Sequence, residues 1–90
     1  MSKMNLGRFV VTDSLMRESD VMIQVQHGMA VLNVHQDLMR MHHEFLAVGD
    51  MFDPVSDCEL PPLYDANVTK IKDGSDVYYR VKFNRRKVQQ

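Results

Sequence analysis

Hydrophobic and polar positions alternate most regularly near the C-terminal end of the chain. Val77, Tyr79, Val81 and Phe83 fall on one side of an extended backbone, and Tyr78, Arg80 and Lys82 on the other. Period two is the signature of a strand with one buried face. The preceding segment, YDANVTKI (64–71), places Ala66 and Val68 in phase, but Ile71 falls one residue late. The DGSD segment at 73–76 supplies turn chemistry between the two arms, with Gly74 free to take a positive φ. Residues 64–83 therefore predict a β-hairpin. A β-bulge near Thr69-Lys70 would return Ile71 to the buried face.

The N-terminal part is less regular. RFVVT (8–12) has an aromatic and two valines in a row, which favours a strand. TDS (12–14) ends that strand or caps a short helical turn. In VMIQVQ (21–26), Val21, Ile23 and Val25 share a face, predicting a second strand. His27-Gly28 makes the turn, and MAVLNV (29–34) returns. The competing reading is one long helix, because Met22, Val25, Met29, Leu32 and Met39 also approximate helical spacing. In residues 35–48, Leu38, Met41, Phe45 and Val48 recur at i, i+3, i+7 and i+10, which predicts a helix ended by Gly49. Pro54, Pro61 and Pro62 make residues 49–63 a connection, although Met51 and Phe52 could open a strand.

The pattern describes a single α+β domain over 1–84, with a basic tail at 85–90. A small, bent antiparallel sheet packs against one helix at about 35–48. The expected core is Phe9, Val11, Ile23, Val25, Leu32, Leu38, Phe45, Val68, Ile71, Tyr79, Val81 and Phe83. Ninety residues allow one domain. A chain this short buries only ~60–65% of its unfolded surface. No apolar run approaches the ~20 residues of a membrane span, and the N-terminus has no secretory-signal pattern. Its one cysteine, Cys58, cannot form an internal disulfide, which suits a reducing, cytoplasmic setting.

Charge changes the picture more than composition does. Residues 1–60 carry four basic and nine acidic side chains, a net of −5; residues 61–90 carry seven basic and three acidic, a net of +4. The basic residues concentrate on the hairpin and beyond it. Tyr78, Arg80 and Lys82 share its outer face, with Lys70 expected to join them and Arg85, Arg86 and Lys87 to extend the stripe. These are the candidate partner-binding or nucleic-acid-binding residues. Chemistry of other kinds has little support. His35, His42, His43 and Glu44 lack an HxxxH or CxxC spacing, so no metal or other cofactor is expected. Cys58 lies among Asp53, Asp57 and Glu59, which suppress thiolate, and no serine sits in a nucleophile motif. The chain reads as a non-enzyme.

The segments VGDMF (48–52), YDANVTKI and YYRVKF resemble the Tudor and chromo-barrel group of SH3-like barrels over about residues 46–84. That resemblance implies an SH3-like barrel in the C-terminal half. It also implies that methyl-ligand recognition would need an aromatic cage, for which Phe52, Tyr64 and Tyr78 are the candidates. The sequence departs from the family in its Pro-rich insert at 53–63 and in stopping soon after YYRVKF, so the N-terminal strands must complete any barrel.

The function expected from these features is a non-catalytic protein-binding module, of the kind seen in small phage-type regulators or inhibitors that occupy a partner's surface. The alternative is nucleic-acid binding through the basic hairpin face. Surplus methionines, Met39 and Met41 among eight, leave room for an apolar contact patch or a homodimer seam.

Overall fold

The computed structural model describes residues 4–56 and 59–86. Five longer strands form one open sheet in the order β2-β3-β1-β5-β6, and a two-residue strand, β4 (Pro54–Val55), pairs with the start of β1. β1 (Met4–Thr12) is the central strand. It pairs antiparallel with β3 (His42–Gly49) from Leu6 to Thr12, and parallel with β5 (Leu63–Asp73) only at Arg8-Leu63 and Phe9-Tyr64. β2 (Met29–Asp37) and β6 (Asp76–Arg85) are the two edges. Two short helices, α1 (Asp13–Met16) and α2 (Ser19–Val25), join β1 to β2.

Several expected elements form as the pattern predicts. Strand 8–12 is part of β1, and Thr12 caps α1 by accepting a hydrogen bond from Leu15 N at 3.2 Å. The strand expected at 29–34 is the first part of β2, although it pairs with β3 and not with residues 21–26. The hairpin of residues 64–83 is β5–β6, closed by the pair Asp73-Asp76 with Gly74 at φ 63°. Pro61 and Pro62 run beside β1, using their carbonyls: Pro62 O accepts from Arg8 N at 2.9 Å, and Pro61 O accepts from Arg8 Nε at 2.8 Å. Proline's missing N–H is no loss in such a role.

Two elements differ in type. Residues 21–26 are not a strand: Val21, Met22 and Val25 are buried from α2, while Ile23 is 64% exposed. The spacing i, i+1, i+4 is one face of a helix, and it wins because all three side chains then enter the core together. Residues 35–48 are not a helix but the end of β2, a turn and β3. Asp37 Oδ1 accepts from Met39 N at 3.1 Å and Arg40 N at 3.2 Å, an Asx-type turn that competes with helix formation. Met41 then takes φ 54°, and its carbonyl accepts from Asp13 N at 3.0 Å. Beyond it Phe45, Ala47 and Gly49 are buried at every second position. Leu38 and Met41 of the supposed helical face are exposed.

The bulge is also placed differently. β5 and β6 pair without a break from Tyr64-Arg85 to Asp73-Asp76, so Thr69-Lys70 holds no extra residue. The irregularity lies in β2, between Val31 and Asn33, and leaves Leu32 55% exposed. Ile71 is on the opposite face from Val68, paired across the hairpin with Tyr78.

The core combines Phe9, Val11, Val21, Met22, Val25, Phe45, Ala47, Phe52 and Tyr64. Phe9 stacks on Phe45 at 5.0 Å between ring centres, and Phe83 closes on Phe9, also at 5.0 Å. Val68, Tyr79 and Val81 pack against this cluster, as expected. Ile23, Leu32 and Leu38 do not belong to it.

Candidate functional site

The outer face of the β5–β6 hairpin follows from its register. Tyr78 faces Ile71, Arg80 faces Thr69 and Lys82 faces Asn67. Ile71-Tyr78 is an aromatic–β-branched pair of the type that stabilises a hairpin from the solvent side. Tyr78, Arg80 and Lys82 are exposed there as the alternation predicts. Lys70 does not join them, because it pairs with Tyr79 and so projects from the inner face.

The arginines beyond the hairpin are not a free stripe. Arg85 belongs to β6 and donates from Nη1 to Asp53 Oδ2 at 3.1 Å. Arg86 N donates to Leu63 O at 2.8 Å, and its guanidinium is held by Asp65, with Nε to Oδ1 at 3.0 Å. The hydrogen bond that Arg86 donates to Asp65 favours the charged guanidinium and raises the pKa of Arg86. The expected tail at 85–90 thus begins with two anchored residues. Lys87 and the rest of the tail lie outside the described residues, as does Cys58.

The candidate aromatic cage is not assembled. Phe52 and Tyr64 are buried against each other, with ring centres 4.9 Å apart, and Tyr64 Oη accepts from Asp53 N at 2.8 Å. Tyr78 is on the far side of the hairpin from the core face. Of the histidines, His42 and His43 alternate across β3. His43 Nδ1 lies 3.2 Å from Asp13 Oδ1, and His42 Nε2 lies 3.8 Å from Asp37 Oδ2. Among the described residues, no three His, Cys, Asp or Glu side chains gather as a metal site would need.

What the sequence did not point to is a groove of about 430 Å³ along the free edge of β6. One wall is the strand itself from Tyr78 to Phe83; the other carries Gln24, His27 and Met51. Toward the hairpin tip it continues into a depression lined by Asp20, Ile23, Val77 and Tyr78. Ile23, Val77 and Tyr78 are 64%, 50% and 45% exposed, so the depression presents apolar surface beside Arg80 and Lys82. A second exposed apolar group is the β2–β3 turn, which carries Leu38, Met39 and Met41. No helix among the described residues is long and apolar enough to cross a membrane.

Comparison with known protein families, curated proteins and solved structures found no match for this chain.

Proposed function

We propose that this chain is a non-catalytic protein-binding module that acts by occupying a partner's surface, in the manner of a small regulator or inhibitor. The observation that carries this reading is the mixed surface along α2 and the edge of β6, where exposed Ile23, Val77 and Tyr78 line one depression, and Arg80 and Lys82 line the groove that continues from it. Apolar anchors beside a few cations suit a protein surface with acidic and apolar patches. A nucleic-acid binder needs a run of cations free to meet phosphates. Here Arg85 and Arg86 are engaged by Asp53 and Asp65, and Lys70 projects from the other face. The resemblance to SH3-like barrels supports the same reading. VGD ends β3 and opens the following turn, and YDANVTKI and YYRVKF fall on β5 and β6. In this proposal the open sheet is a partly closed barrel of that type.

The test is retention of a partner on the tagged chain from nuclease-treated extract. A protein retained by the wild type and lost with Ile23→Ser plus Tyr78→Ser supports the proposal. Retention of material that nuclease removes, and that disappears as salt rises, supports the nucleic-acid alternative instead.

A further inference from the structure

We infer that the free edge of β6 accepts an extended segment of a partner protein as an added strand, and that it selects a segment alternating apolar and acidic residues. This inference rests on the protein-binding reading above and names the chemistry of the partner. The register fixes which backbone groups are available. Asp73-Asp76 closes a two-residue turn, so it is a hydrogen-bonded pair, and such pairs recur at every second position of an antiparallel ladder. Tyr78, Arg80 and Lys82 therefore spend their N–H and C=O groups on β5. Val77, Tyr79, Val81 and Phe83 point theirs outward. The bond from Arg86 N to Leu63 O has the parity this assignment requires. Among the described residues, no backbone bond from another element reaches these four. Tyr79, Val81 and Phe83 line the groove whose far wall is Gln24, His27 and Met51, and Val77 lines the depression next to it.

Side chains decide what fits. A strand laid along this edge would place alternate residues on each face. On the inner face its neighbours are Tyr79, Val81 and Phe83, with Met51 opposite, which favours apolar residues. On the outer face they are Arg80 and Lys82, which favour carboxylates directly across or diagonal. The same cations discourage a second copy of this chain. Antiparallel self-pairing centred on Val81 would set Arg80 against Lys82 of the other copy, and like charges across a strand pair repel. The edge thus repels itself and attracts an acidic strand.

The experiment uses the full chain and two synthetic peptides of equal length, one alternating Val or Thr with Glu, the other replacing each Glu by Lys. Binding is read by fluorescence anisotropy. The acidic peptide should bind about tenfold more tightly than the basic one. Arg80→Glu with Lys82→Glu should reverse that preference. Val77→Pro removes an outward N–H, which an edge strand tolerates, and should weaken the acidic peptide by about tenfold while the chain still unfolds cooperatively. Equal binding of both peptides, no binding of either, or a preference that survives the charge reversal would overturn the inference. If it fails while the nuclease-resistant partner is still retained, only the edge site is wrong; if no partner is retained either, the protein-binding reading falls with it.

Discussion

The ring of Phe52 fills the space that a side chain at position 7 would need: a Cβ on Gly7 would stand 2.6 Å from Phe52 Cγ. Through this contact the loop after β3 closes over β1. It also brings Phe52 to Phe9, Tyr64 and Phe83, with ring centres 6.3, 4.9 and 5.5 Å away. Gly7→Ala should therefore destabilise the fold by about 1–3 kcal/mol, the usual cost of overpacking a filled core. Equilibrium urea unfolding measures it, and an unchanged midpoint would show that Phe52 is free to move aside.

Ile23 and Val25 separate a helix from a strand at residues 19–25. On a strand they share a face; on α2 Val25 is fully buried and Ile23 is 64% exposed. Ile23→Ser should change stability by no more than about 0.5 kcal/mol. Val25→Ser should cost several times as much, because it leaves a hydroxyl in an apolar site. Thermal melts of the two variants decide between the readings.

Gly74 has φ 63° and nothing within 4 Å of where a Cβ would lie. A substitution there meets only backbone strain. Gly74→Ala should cost roughly 1–2 kcal/mol, since a positive φ strains a residue that carries a Cβ. Equilibrium urea unfolding measures it, and an unchanged midpoint would show that the turn relaxes to a negative φ.

Leu38, Met39 and Met41 are 76%, 93% and 65% exposed on a turn held by Asp37. Replacing all three by Ser should leave the unfolding midpoint nearly unchanged, within about 0.5 kcal/mol in total. Asp37→Ala should cost about 1 kcal/mol through its two lost backbone hydrogen bonds. Circular dichroism in urea compares them, and a triple variant less stable than Asp37→Ala would place the turn in the core.

The sequence showed an element wherever alternation was uninterrupted and its residues were large. The second arm of the hairpin, and with it the face bearing Tyr78, Arg80 and Lys82, was visible for that reason. β3 was hidden because two of its inward positions, Ala47 and Gly49, are small, leaving Phe45 as its only large buried residue. α2 was misread because Val21 and Val25 satisfy both periods, and only burial of Met22 rather than Ile23 distinguishes them. Ile71 falls out of phase with Val68 because it lies on the outer face, where it pairs with Tyr78. The pairing of Arg85 with Asp53 and of Arg86 with Asp65 depends on tertiary placement and leaves no trace in residue spacing. The β6 groove depends on where α2 places Gln24, which residue spacing along the chain does not encode.

The most direct test of the central claim is amide hydrogen exchange over residues 76–84, measured on the free chain and on its complex with the retained protein partner. The edge-docking account predicts slowed exchange at Val77, Tyr79 and Val81 on binding, with Tyr78 and Arg80 already protected by β5 in the free chain. Exchange at the three outward-pointing amides that is unchanged in a saturated complex would contradict it.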